Sequence, residues 1–352
     1  MQRAQRKLEH IKYALETGFG PASTHFEDIR FLHNCLPELN PADIVLSVDL
    51  FGKMLTAPLL IDAITGGTEA VTELNGKLAD VAQQTGIAMA VGSQYGTVRT
   101  GSGLTSYQII REHNPDGIVF ANISALATPQ QAQNAVDMLD ADALEIHLNA
   151  AQELIMPEGD RNYRGLLANM LRIRDHVDVP VIVKETGCGI AAEAYAALNE
   201  AGFTFFNCAG SGGTNFPAIE ARRAGVQLGD FAYWGIPTAW SLLDIAAHAD
   251  NESFLIASGG MDNACKAVKA FALGADMVSM SGIILKLICE QGTAAAVAFL
   301  DELKTAVADY LLLLGCRNIK ELRTVPLIFT GETMNFLACR GYNAAQLSRK
   351  RR

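Results

Sequence analysis

From residue 58 the chain alternates two kinds of segment. Short apolar runs fall at 58–64, 87–91, 117–122, 143–148, 179–184, 203–208, 254–258 and 275–280. Most lead through a small-residue or glycine turn into an alanine-rich amphipathic stretch, at 75–85, 129–139, 163–176, 190–201 and 263–273. Runs of that length read as buried strands, and the stretches between them as helices. Eight strands alternating with helices predict a parallel (β/α)8 TIM barrel. An open, doubly wound sheet is the other architecture this alternation allows. It calls for a G-x-G-x-x-G turn after the first strand and an acidic residue about 20 positions further on. Neither is present.

Two segments lie outside the repeat. Residues 1–57 form an N-terminal extension, with a helix predicted over 3–17, and residues 291–352 follow the barrel (58–290), helical over 293–314. Neither has the composition of a linker, so both are expected to pack on the barrel.

The densest polar cluster follows the fourth run. Asp142-Ala-Leu-Glu-Ile leads into His147-Leu-Asn149-Ala-Ala-Gln152-Glu153. Residues two apart on a strand share a face, which puts Glu145, His147 and Asn149 on one side, with Gln152 and Glu153 in the turn. In parallel α/β proteins the carboxyl ends of the strands carry the chemistry. A lone His beside an Asn is more often a satisfied structural pair; so many metal-binding, hydrogen-bonding and proton-handling groups at one strand end favour a site.

The other strand ends are polar or glycine-rich: Ala63-Ile64-Thr65-Gly66-Gly67, Gly92-Ser93-Gln94, Asn122, Lys184-Glu185-Thr186-Gly187, Gly212-Gly213-Thr214, Ser258-Gly259-Gly260 and Ser281-Gly282. Glycines let backbone N–H groups approach phosphate oxygens, and barrels commonly hold phosphate on the loops after strands seven and eight. Any one Gly-Gly is only a turn; three such loops late in the barrel favour a phosphate site. Lys184 suits a Schiff base, a carboxylate pair or an electron-rich cofactor, against the plain reading of a strand-end lysine neutralised by Glu185. Arg6 and His10 share a helix face, with Lys7 adjacent. That set can grip a diphosphate, although a basic N-terminal helix alone is more often solvated. Arg222-Arg223 reads by default as structural pairing.

Composition narrows the classes. Lys and Arg total 28 against 38 Asp and Glu, a net charge of −10, which disfavours a nucleic-acid surface; the basic tail Arg349-Lys350-Arg351-Arg352 reads as a solvated terminus. The seven Cys residues are scattered without a CxxC pair, which argues against structural zinc and for reduced thiols. The N-terminus lacks the apolar run of a signal peptide, and no segment has the length of a membrane span. A cytoplasmic protein with no membrane contact is expected.

Together these motifs resemble the type 2, FMN-dependent isopentenyl diphosphate isomerases, from about residue 3 to residue 345. The carriers are Arg6-Lys7-x-x-His10, Thr65-Gly66-Gly67, Gly92-Ser93, Asn122, His147-Leu-Asn149-x-x-Gln152-Glu153, Lys184-Glu185, Gly212-Gly213-Thr214, Ser258-Gly259-Gly260 and Ser281-Gly282. The His-x-Asn-x-x-Gln-Glu and Arg-Lys-x-x-His elements are specific; the glycine loops are shared with many FMN barrels. The resemblance implies isomerisation of isopentenyl diphosphate to dimethylallyl diphosphate, a shift of a C=C bond without net redox change. It implies reduced FMN as acid/base cofactor, Mg2+, and NADPH as reductant. It assigns Arg6, Lys7, His10, His147 and Asn149 to the diphosphate, which makes the N-terminal extension part of the substrate site. Glu153 would ligate Mg2+, and Gln152 would lie near the exchanged proton. Gln152, His147 and Asn149 are thus the candidate catalytic groups. Ala63, Ile64, Thr65, Ser93, Asn122, Lys184 and Thr214 would hold the flavin, and Gly259, Gly260, Ser281 and Gly282 its phosphate. A homotetramer or larger assembly is expected. The sequence departs from the family pattern at Met261-Asp262, where an aliphatic residue and Arg are usual.

The scheme is chemically coherent. Protonating an alkene builds a tertiary cationic centre, which an electron-rich ring stabilises, and a Lys near the flavin favours its anionic reduced form. Gln152 is not a strong base, so the proton work is shared. The alternative is an FMN-dependent 2-hydroxy acid oxidase on the same barrel. That chemistry needs a late strand-end His with an Arg, which Ser258-Gly259-Gly260-Met261-Asp262 lacks. An inosinate-type dehydrogenase needs a Cys in the loop after strand six, whereas Cys208 lies on the strand. A non-catalytic barrel would leave many buried polar groups without a task.

Overall fold

The computed structural model describes residues 2–18 and 20–348, with side chains throughout except at 2–8 and 17. The eight predicted strands form as β1 (Leu59–Ile61), β2 (Ala88–Ala90), β3 (Val119–Ser124), β4 (Ala143–Leu148), β5 (Val181–Glu185), β6 (Phe205–Asn207), β7 (Phe254–Ala257) and β8 (Met277–Met280). Each pairs in parallel with its successor, and β8 closes on β1 through Val278↔Leu59 and Met280↔Ile61. The sheet is therefore a closed (β/α)8 barrel, not an open doubly wound one.

Period-two alternation sorts the side chains. Outward residues such as Ile61, Met89, Ala121, Ile146, Val183 and Phe206 pack under the surrounding helices. Inward residues Leu60, Ala88, Phe120, Ala143, Ile182, Ile256 and Met277 fill the lower barrel. Two positions further along the strands the inward face turns polar: Asp62, Asn122, Glu145, Lys184, Asn207, Ser258 and Ser279, all buried. Only β2 contributes an apolar residue, Ala90, at this level.

The helices start where their caps dictate. Thr128 and Gln131 form a capping box with Pro129 in the first turn of Pro129–Asp137, and Asn263 caps Ala264–Leu273. The helix predicted over 163–176 is shorter, Leu166–Arg174, and follows an N-cap at Gly165.

The flanking segments add elements that the apolar runs did not predict. A hairpin, Val48–Leu50 with Lys53–Leu55, seats Leu50 and Leu55 against the lower barrel layer. Its turn residues Phe51 and Gly52 both have positive φ (53° and 78°), as a tight primed turn requires. The Phe51 ring meets Phe120 and Phe205 at centroid distances of 6.1 and 5.5 Å, so the hairpin plugs the amino-terminal end of the barrel. Ile29–Phe31 pairs antiparallel with Leu327–Phe329, tying the two extensions together. The long helix Thr293–Leu314, close to its predicted extent, packs on Thr72–Thr85 and Ala264–Leu273.

The last segment is fastened by a buried carboxylate. Asp244 accepts from Arg340 Nε (2.9 Å), Tyr342 OH (2.6 Å) and the Ala192 backbone N–H (2.8 Å). Replacing it with alanine strips three donors of one charged acceptor. Asp244→Ala should cost about 3 kcal/mol, read as a lowered denaturation midpoint. An unchanged midpoint would show that the clasp contributes nothing.

Candidate active site

The polar inward layer is the floor of a cavity at the carboxyl ends of the strands. Asp62, Asn122, Lys184, Ser258 and Ser279 line it, and His10, His147, Asn149, Gln152 and Glu153 stand around its other end. Of the predicted site residues with described side chains, all but Thr65 line this one cavity. The Thr65 hydroxyl is turned instead to the Asn75 side-chain oxygen. The side chains of Arg6 and Lys7 lie outside the described residues.

At the centre of the floor, Lys184 Nζ donates to Asp62 Oδ2 at 2.8 Å; Ser279 Oγ (2.6 Å) and Asn207 Nδ2 (3.2 Å) donate to the same oxygen. Burial pushes the Asp62 carboxyl up, but the Lys184 ammonium outweighs it and holds Asp62 below the usual carboxylate range. Burial likewise favours neutral Lys184, yet Asp62 and Glu145 keep it charged, with its pKa above the ordinary lysine value. Glu145, fully buried beside this pair, accepts from Asn122 Nδ2 at 2.8 Å and Asn207 Nδ2 at 3.2 Å. Burial, with the negative charge of Asp62 added, pushes it up to about 7 against the pull of Lys184 and the two amides.

The opposite end is built from three elements. Gln152, on the short helix Ala150–Ile155, donates from Nε2 to Glu220 Oε1 at 2.8 Å. His10 Nε2, from the N-terminal helix Gln2–Thr17, lies 2.8 Å from the same oxygen. Glu220 is fully buried on Phe216–Ala224 and also pairs with Arg223. Burial raises its carboxyl pKa, but His10, Gln152 and Arg223 more than offset this and leave it lowered. Asn149 Nδ2 donates to Glu153 Oε1 at 2.9 Å, and the Asp160 backbone N–H to Oε2 at 2.8 Å.

Sequence reasoning missed Glu220 and Asp62. Glu220 sits beside Arg222 and Arg223, a stretch read as structural pairing, and Asp62 sits inside an apolar run. The period-two reading had placed Glu145 on the face of His147 without giving it a task.

The third wall is backbone. The Gly259–Gly260 turn has positive φ at both residues (99° and 69°), and a Cβ at either would fall about 2 Å from the carbonyl oxygen of Gly210 or Gly212, 2.1 and 2.3 Å respectively. Beside it the helix Gly282–Gln291 starts at Ser281, whose side chain makes no capping bond. An uncapped helix N-terminus beside a glycine turn suits an anion. Asp262, where the family pattern has Arg, pairs with Lys266 at 3.0 Å, and Lys266 Nζ also donates to the Gly260 carbonyl at 2.9 Å. A cation from the following helix thus stands against this turn.

A profile of the FMN-dependent dehydrogenase family matches residues 121–327. An isopentenyl-diphosphate delta-isomerase of Geobacillus sp. (strain WCH70) is 43% identical over 344 residues, 97% of this chain and 98% of the relative. That of Moorella thermoacetica is 42% identical over 335 residues, 95% and 96% of the two chains. The chain belongs to the isopentenyl-diphosphate delta-isomerase family. Among solved structures, mandelate oxidase with (S)-2-phenylpropionate aligns with this isomerase-family chain at a TM-score of 0.68, covering 93% of it and 98% of the oxidase. At 16% identity that likeness is one of fold.

The floor makes a signed prediction. An unfolded glutamate ionises near 4.5, while folded Glu145 keeps its proton to about 7. Between those values the folded state binds the extra proton, so this group's contribution to stability falls as pH rises and is flat above about 7. In Glu145→Gln that penalty is absent. From pH 5 to pH 8 its stability relative to the parent should therefore shift in the variant's favour by roughly 2–3 kcal/mol, measured by denaturant unfolding. A pH-independent difference would contradict a buried carboxyl that titrates near neutrality.

Proposed function

We propose that the protein isomerises isopentenyl diphosphate to dimethylallyl diphosphate. The observation that carries this reading is a single cavity with an anion-binding wall at one side, the Lys184–Asp62 floor at its centre, and His10, His147, Asn149, Gln152 and Glu153 around the other end. FMN fits: its phosphate matches the Gly259–Gly260 turn and the uncapped N-terminus at Ser281–Gly282, and Lys184 offers a charged donor to the ring. Ala63, Ile64, Ser93 and Thr214 border the same space. Reduced FMN, when bound, supplies an electron-rich acid/base surface.

The chain's own groups do the rest. His10, His147 and Asn149 supply donors to the diphosphate, with Arg6 and Lys7 extending the grip along the N-terminal helix. Gln152 is fixed by Glu220: once its amide N–H donates to that carboxylate, its carbonyl oxygen, which accepts from Asn149 Nδ2 at 3.3 Å, keeps a second lone pair for a further hydrogen. Glu220 thereby orients Gln152 and stands one amide away from the reacting carbon. Among the described residues no group of three or more His, Cys, Asp or Glu is placed to hold a metal. Glu153 offers one carboxylate at the mouth. That suits Mg2+, which pairs one or two carboxylates with phosphate oxygens and water. NADPH is proposed as a passing reductant, with no residue assigned to it. The loop after β7 holds no His, so the 2-hydroxy acid oxidase alternative lacks its base.

We also read the protein as a cytoplasmic homo-oligomer, a tetramer or larger. Seven free cysteines and the exposed Phe231, Tyr233 and Trp234 support that reading. Among the described residues no helix is long and apolar enough to cross a membrane.

The decisive experiment is anaerobic incubation with FMN, Mg2+, isopentenyl diphosphate and dithionite or NADPH in D2O, followed by NMR. Deuterated dimethylallyl diphosphate should form only when the flavin is reduced. Flavin binding without isomer would refute the reaction and keep the barrel's cofactor. In Gln152→Ala, turnover should fall about 10²–10⁴-fold with FMN still bound. Joint loss of flavin and activity would contradict the role given to Gln152.

A further inference from the structure

The buried floor reaches the substrate end of the cavity through one amide. Asn122 on β3 and Glu145 on β4 are direct register partners. Asn122 Nδ2 donates to Glu145 Oε2 at 2.8 Å, and Asn122 Oδ1 lies 2.8 Å from His147 Nδ1. A carboxylate only accepts, so it selects which end of the amide faces it. The N–H2 turns to Glu145 and the carbonyl to His147. A carbonyl also only accepts, so the ring nitrogen it faces must carry a hydrogen. The other oxygen of Glu145 is engaged by Asn207 Nδ2, and the Asn207 carbonyl is committed to Ser258 Oγ.

We propose that Glu145 is a positioning residue that sets the tautomer of His147 through the Asn122 amide. It thereby sets the charge that His147 brings to an anionic substrate. With its hydrogen on Nδ1, neutral His147 presents a lone pair at Nε2, which repels a phosphate oxygen. It donates from Nε2 only as the imidazolium. Anion binding at His147 is then linked to uptake of one proton.

The arrangement is sensitive to pH. The groups facing Glu145 are Lys184 on β5 and Asp62 just after β1, both charged, Asn207 on β6 and Asn122 on β3, with His147 two residues along β4 itself. Burial and Asp62 push Glu145 up to about 7, against Lys184. Once protonated, Glu145 gains an O–H that needs an acceptor. A flip of Asn122 supplies its carbonyl and turns the N–H2 to His147 Nδ1 instead. The ring hydrogen must then sit on Nε2. One proton is gained at Glu145, and the hydrogen of His147 moves from Nδ1 to Nε2.

The consequence for diphosphate rests on the proposed function; the tautomer does not, and it is measured without substrate. The full chain labelled with 15N-histidine is followed by long-range 1H–15N correlation across pH, with His147 assigned by the signals lost in His147→Asn. Above pH 8 the parent should show a protonated Nδ1 and an unprotonated Nε2. In Glu145→Leu the Nδ1–H pattern should be lost in favour of Nε2–H. An Nε2–H tautomer in the parent above pH 8 overturns the proposal without recourse to any variant. Retention of Nδ1–H in a folded Glu145→Leu overturns it too. The predicted tautomers in a protein that fails to isomerise isopentenyl diphosphate would leave this inference standing and remove the functional reading instead.

Discussion

The structure turns on the ion pair between Lys184 and Asp62. Two unit charges buried at the centre of a barrel are tolerated only if each is matched and every remaining lone pair and hydrogen is met. That requirement reaches into the neighbouring strands. Ser279 and Asn207 complete Asp62, while Asn207 and Asn122 complete Glu145 and Ser258 completes Asn207. Seven of the eight strands therefore carry a polar residue at one level of the barrel. The lower barrel, filled by Leu60, Phe120, Ile182, Ile256 and Met277, provides the rigid apolar base on which this layer is held. Without that base the floor would admit water, and a charged lysine would no longer be a preorganised partner for a ligand.

The far end obeys the same logic with a different element. Glu220 is a buried carboxylate completed by Gln152, by Arg223 and by His10 from the N-terminal helix. The extension is thus no appendage: one of its side chains, His10, stands 2.8 Å from a carboxylate that the barrel buries. Docking of the helix and orientation of the Gln152 amide are one energetic event.

Much of this was legible in the chain. The eight apolar runs gave the strands because a closed parallel sheet buries both faces. The strand-end cluster His147–Glu153 stood out because so many polar groups at one strand end have no packing explanation. What escaped was depth. Period two tells which residues point inward but not at which level the interior changes from apolar to polar, so Asp62 looked like part of an apolar run. Glu220 escaped because two of its partners, Gln152 and His10, come from other elements, a relation no local pattern carries. The hairpin escaped because its strands are three residues long and its role is to plug, not to extend, the sheet. Thr65 had the right residue type at the right strand end, but its hydroxyl is taken by Asn75.

The Phe51 hairpin stoppers the amino-terminal end of the barrel beneath the apolar layer, while the charged floor faces the cavity at the other end. A ligand lying across that cavity would cover the charged floor as well, so that filling the site and drying its floor would be a single event.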